Sequence, residues 1–291
     1  MARTNLTDST RAGRFGRWRE RGRNVGARVE AARPHHATVD FGMRLFERDA
    51  SIGGGLLAGA LAYRLFVLLL PTALLFVSGL GLYAGVADKS TSEAAKEAGL
   101  HGLIASQVAT TSADGARGLV FILMVPAVLY ATVTLYRALA IVHGIVWHGS
   151  GRGARATPRG IGMLFAALLL VIAAAQIVGW IRRHDQLGGL AALLVYLVLA
   201  GGAWLLVSLQ LPHRDVPWHA LLPGAALVGV GLFFVNVFNL YVTTRLVEGR
   251  ADTYGALGIA TALLLSLVIV GRLMVLSAEV NALLAPSEGS A

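Results

Sequence analysis

The sequence predicts an all-α polytopic membrane protein, a bundle of six transmembrane helices with a kinked first helix. Three observations carry this. Of the 291 residues, 56% are hydrophobic and 14% charged, with a mean hydropathy of +0.66, where an ordinary soluble chain carries about a quarter charged residues. The apolar residues gather into six runs, each able to supply the ~20 residues that cross a hydrocarbon core. None of the runs alternates apolar and polar residues as a barrel strand does, and lipid allows only helices and closed barrels to span it.

Residues 1–40 are read as a basic cytoplasmic tail, 41–285 as the membrane domain and 286–291 as a short cytoplasmic tail. Eleven arginines (Arg3, Arg11, Arg14, Arg17, Arg19, Arg21, Arg23, Arg28, Arg33, Arg44 and Arg48) precede the first apolar run, against six acids up to Asp49. A stretch so rich in Arg and Gly lacks the apolar surface that offsets ordering entropy, so disorder is expected to about Ala37. The first run, Ile52 to Val86, is 35 residues long with Arg64 as its one charge, which exceeds a single span. Gly53, Gly54, Gly55 and Gly59 weaken its start and Pro71 removes a backbone donor within it. This predicts an interfacial or tilted entry up to about Arg64 and a kinked span beyond. The other runs are Gly118 to Trp147, Ile161 to Ile181, Leu190 to Leu211, Trp218 to Thr244 and Tyr254 to Leu284.

Orientation follows from Lys and Arg in the connecting segments. With a cytoplasmic N-terminus, fifteen fall inside (the eleven above with Arg152, Arg155, Arg159 and Arg214) and seven outside (Lys89, Lys96, Arg117, Arg182, Arg183, Arg245 and Arg250). Both termini are therefore expected in the cytoplasm. Trp147, Trp180 and Trp218 fall at span ends, where indoles favour the headgroup region. Gly55/Gly59, Gly81/Gly85 and Ala225/Gly229 put small residues one turn apart, as packing faces within one bundle; a homo-oligomer is the secondary use of such stripes. The basic tail is expected to meet anionic membrane lipids, and no nucleic acid partner is expected. The 23:2 preference for Arg over Lys, with abundant Ala and Gly, points to a GC-rich bacterial source.

Chemistry-bearing candidates are the polar residues inside spans, because a central charge costs at least ~2.5–3.5 kcal/mol on insertion scales without water or a partner. Arg64, Arg137, Arg272 and Glu279 are the four charges. Arg64 and Glu279 are placed at compatible depths, giving an ion pair or a small polar cavity formed with Tyr63 and Asn281; the alternative is separate snorkelling to the interface. Arg272 is seven residues before Glu279, on a similar face and about 10 Å deeper. Arg137, Asn236 and Asn239 complete a candidate anion-attracting cavity; the alternative is hydrogen bonding between neighbouring helices. Enzyme chemistry is not expected, nor any cofactor or metal. Glu279 is the one acid within a span, His143 and His148 fall on different helix faces, and no Walker A, GxSxG or HExxH pattern occurs.

Three stretches carry a family resemblance. In AGALAYRLFVLLLPTALLF, Ala62-Tyr63 is followed eight positions later by Pro71, which resembles the first-helix signature of the YihY/BrkB family of bacterial inner-membrane proteins. LPHRDVPWHALLPGAAL is similar to that family's loop and fifth-helix entry at Pro212, Val216, Trp218, Gly224 and Ala225. TYGALGIATALLL with MVLSAEVNALL is similar to its last helix at Tyr254, Gly255, Ala278, Glu279 and Asn281. Leu68 and Ser277 depart from the Ser and Gly common there, and Arg64 stands where an aromatic or small residue is usual. The resemblance implies a six-helix inner-membrane protein of the envelope, for which ribonuclease, transporter and lipid-linked roles are all associated with the family. The residues themselves disfavour the ribonuclease. The expected role is translocation or binding of an amphipathic or anionic solute; the alternative is a scaffold binding lipid or an envelope-assembly partner.

Overall fold

The structure is a computed structural model and describes residues 33–86, 117–151, 155–184, 188–238 and 244–285. Every regular element among them is helical: α1 (Ala37–Ile52), α2 (Gly54–Val86), α3 (Arg117–His148), α4 (Pro158–His184), α5 (Gly188–Ser208), α6 (Leu222–Phe238) and α7 (Thr244–Leu284), with 3-10 turns at Arg33–His35 and Trp218–Leu221. The chain divides into two compact units, residues 1–51 and 52–291. The tail before Arg33 lies outside the described residues.

In the first unit α1 is an element that the sequence analysis does not anticipate. Its start is fixed by the His36 carbonyl, which accepts from the amides of Val39 and Asp40 at 3.0 and 3.1 Å. At about 100° per residue, Val39, Met43, Phe46 and Ala50 form one apolar stripe and Phe41 and Leu45 a second, while Asp40, Arg44, Glu47 and Ser51 share the polar side. Arg33 folds back along that polar side. Its Nε donates to Asp40 Oδ1 at 2.8 Å and its Nη1 and Nη2 to the two Glu47 oxygens at 3.0 and 3.3 Å. Arg44 adds a second ion pair to Asp40 at 3.1 Å.

The Arg33 hydrogen bond, working against desolvation and aided by the charges of Arg44 and Arg33, holds the Asp40 carboxyl below its ordinary value of 3.8. A depressed carboxylate favours the folded clasp above that ordinary value and loses this contribution as pH falls through the depressed one. Arg33→Gln is thus expected to raise the Asp40 titration midpoint, followed by the carboxyl ¹³C shift; an unchanged midpoint would mean that the clasp does not form in solution.

The second unit holds the six apolar helices that the hydropathy runs predict. Gly54–Gly79, Gly118–His148, Trp218–Val235 and Leu263–Leu284 are long and apolar enough to cross a membrane, and Pro158–Ala174 and Leu194–Ser208 are shorter apolar stretches of α4 and α5. The protein is a multi-pass, all-helical membrane protein. Its first span departs from expectation. The interruption is at Gly53, whose φ of +67° lies in the left-handed region that a Cβ disfavours. From there α2 runs 33 residues without a break, through Arg64 and Pro71; no separate entry segment ends near Arg64. The last helix already includes Thr244, ahead of the expected Tyr254; the fifth is described to Phe238, and its expected end falls past residues 239–243, which lie outside the described residues.

Helix α2 packs between α3 and α7, α6 between α7 and α5, and α4 on α5, with smaller contacts of α3 to α4 and α7. Close approach sits at small residues, although not all the expected ones. A Cβ on Gly201 would meet the Ala225 carbonyl at 3.2 Å, and one on Gly229 the Leu197 carbonyl at 2.9 Å, so the Ala225/Gly229 stripe does join α6 to α5. Gly55 and Gly59 have nothing within 4 Å and are not a packing face, whereas Gly271 meets the Ala58 carbonyl at 2.5 Å and joins α7 to α2. Trp147 is another correction. It is 3% exposed, with its ring 6.3 Å from that of His213, so it belongs to the core and not to an outward-facing aromatic belt. Trp218 is exposed at the head of its span, as expected.

Candidate functional site

The last turns of α7 carry the densest set of buried polar side chains. Ser277, Glu279 and Asn281 are all buried, and so are Ala278 and Val280 between them and Val275 before them. In a helix only partly covered by neighbours, one stripe is buried; here every side is enclosed.

Each polar group has a local physical cause. Helix α6 opens Leu222-Pro223-Gly224, and the first-turn amides of a helix have no partner within it. Pro223 brings no N–H, and the Gly224 N–H donates to Asn281 Oδ1 at 2.7 Å, so a side chain of α7 caps α6 from outside. A Cβ on Gly224 would collide with the Ser277 carbonyl and come within 2.5 Å of Asn281 Nδ2. Glycine is therefore what allows the cap. One turn before Asn281, Ser277 Oγ accepts from Trp204 Nε1 on α5 at 2.7 Å and donates to the Met274 carbonyl at 3.2 Å. The Trp204 ring in turn lies 6.2 Å from that of buried His143 on α3, whose Nδ1 is 3.1 Å from the Leu139 carbonyl. Helices α3, α5, α6 and α7 are thus tied at one polar junction. A second tie lies on α3, where the Tyr136 hydroxyl donates to the Gln210 carbonyl at 2.7 Å and rests against Gly160.

Glu279 is 0% exposed. It is two residues from Ser277 and so about 200° around the helix, away from the Trp204 contact; Arg272, half-buried, falls on its face seven residues earlier. Desolvation of a carboxyl group enclosed this way in an apolar helix opposes the fold, and contacts to that group offset it.

Of the eight polar residues expected to share one cavity, Tyr63 and Arg137 face away from the buried junction. Tyr63 is 59% exposed. The buried side of α2 is marked by Ala58, Leu61, Ala62, Leu65 and Leu68, and Tyr63 lies nearly opposite that stripe on a 3.6-residue helix. Arg64 sits at its flank with Cζ 5.9 Å from the Tyr63 ring, a cation–π distance. Among the described residues no ion pair joins Arg64 to Glu279. Arg137 is exposed on the outer side of α3. The side chains of Asn236, Asn239 and Tyr254, and the surroundings of Gly255, lie outside the described residues. Asn281 is buried, but as the cap of α6. Pro212, half-buried, lies between α5 and the turn that starts at Trp218, and Pro71 lies inside α2. Trp204 and His143 are site residues that sequence reasoning missed; an indole in the middle of an apolar run, where its N–H needs an acceptor, was the available signal.

A family model described as Virulence factor BrkB matches residues 46–290. No curated protein and no solved structure matches the chain.

Proposed function

The chain belongs to the BrkB virulence-factor family, and from that premise we propose that it binds and translocates an amphipathic or anionic solute of the bacterial envelope, without enzymatic chemistry of its own. The observation that supports this most is Glu279, fully buried in a spanning helix with Arg272 on the same face. Ionisable groups at membrane depth carry a cost that substrate pathways and binding sites repay. Native mass spectrometry of the protein released from mild detergent tests the reading. A retained lipid or anionic solute is the expected result, and a bare polypeptide mass after gentle release would overturn it.

The second reading, a scaffold that binds lipid or an assembly partner, draws on the polar junction itself. The Trp204–Ser277 and Asn281–Gly224 bonds lock three helices together, which suits a rigid platform.

Our reading places the protein in the inner membrane with both termini in the cytoplasm, from the arginine asymmetry. The chain has no cysteine, so a single one at Ser92 reports the side of the loop between α2 and α3. In intact spheroplasts it is expected to react with an impermeant maleimide; reaction only after permeabilisation would invert the topology.

A further inference from the structure

The stripe Val39–Met43–Phe46–Ala50 on α1 is apolar, half-buried at Val39 and Met43 and uncovered in its C-terminal half. Phe46 is 68% exposed, and Gly42 and Ala50 beside it are exposed as well. The polar side of the same helix is occupied, since Arg33 clasps Asp40 and Glu47 along it and Arg44 pairs with Asp40. Helix α1 cannot be the start of the span, because Asp40, Arg44, Glu47, Arg48 and Asp49 lie within its 16 residues. Its C-terminal end is tethered to the head of the first span. It ends at Ile52, Gly53 alone separates it from α2, and the first candidate span begins at Gly54.

We propose that α1 is an interfacial helix that inserts the Val39–Met43–Phe46–Ala50 stripe into the headgroup and acyl boundary of an anionic bilayer. An amphipathic helix with a strongly charged side, and with an aromatic at the centre of its apolar face, gains free energy by burying that face ~5–10 Å into the boundary. Covalent continuity with a spanning helix removes the entropic cost of reaching the surface. The occupant is lipid and not an acidic or basic protein, because the clasp leaves residues 33–52 with three arginines against three acids, while residues 1–32 carry eight arginines against three acids. The neutral helix supplies apolar insertion; the basic segment before it supplies attraction to anionic headgroups, which at a cytoplasmic leaflet is ~1 kcal/mol per Lys or Arg near the surface. The inference is independent of what the bundle binds.

Spin labels on single cysteines in the otherwise cysteine-free full chain test this in phosphatidylethanolamine–phosphatidylglycerol proteoliposomes. Phe46→Cys and Met43→Cys report the stripe and Ser51→Cys the polar side. At 43 and 46, collision with apolar oxygen is expected to exceed collision with a water-soluble nickel chelate; at 51 the order is expected to reverse. Nickel access at 46 equal to that at 51 would show the stripe in water and overturn the proposal. Protection of 46 from both reagents would place it against protein, and dipolar broadening between labels at 46 would place it against a second copy; either result also overturns it. If lipid charge matters as stated, replacing phosphatidylglycerol by phosphatidylcholine is expected to reduce the oxygen preference at 46, and the residues 1–32 deletion to remove that dependence.

Discussion

Gly224→Ala is expected to destabilise the bundle by at least the upper part of the ~1–3 kcal/mol that overpacking costs, while Gly231→Ala, two turns further along the same element, is expected to be mild. Gly224 and Gly231 both face α7 without room for a Cβ. At Gly231 the obstacle is the end of the Leu273 side chain, which can change rotamer. At Gly224 it is the Ser277 backbone carbonyl together with Asn281, and neither can move without shifting α7 or giving up the 2.7 Å bond from the Gly224 amide. A buried amide left without its acceptor adds ~1–3 kcal/mol. Thermal unfolding of the two variants in the same detergent compares them directly. Equal midpoints would mean that α6 and α7 are not in close contact at Gly224.

Glu279→Gln is expected to act on a different quantity. Glutamine keeps the side-chain volume and removes the charge, so a chain that carries this carboxylate for a task is expected to stay folded and lose the task. Desolvation of an ionised group opposes folding, so removing the charge offsets part of what the interactions of Glu279 contribute to stability. The scaffold reading gives the opposite pattern, a lower unfolding midpoint with unchanged ligand retention. The two variants therefore separate the framework of the polar junction, carried by Gly224 and Asn281, from its ionisable group.

The six apolar helices, four of them long enough to cross a membrane, are legible in the sequence because length and apolarity are properties of a segment by itself. Contacts are not. Gly224 and Asn281 each stand out, in separate stretches, but they meet across 57 positions, and only the packing of α6 on α7 makes one the cap of the other. Tyr63 and Arg137 escape the expected cavity for a related reason. Polarity within a span does not by itself mark the interior, and the phase of the buried residues on α2, Leu61, Leu65 and Leu68, already puts Tyr63 on the far side. Helix α1 is hidden by composition: the arginines that suggest a solvated tail mask the i, i+4, i+7 spacing of Val39, Met43 and Phe46. Ser277, whose polarity also gives no hint of its partner in sequence, is the acceptor for Trp204 across 73 positions.

The central claim is that the buried carboxylate near the end of α7 is the working group of the protein. Native mass spectra of wild-type and Glu279→Gln protein, prepared side by side from the same membranes with unfolding midpoints recorded on each, test it most directly. The account predicts a lipid or anionic solute on the wild type and its loss from a variant that remains folded. The same adduct at the same occupancy on both proteins would contradict it.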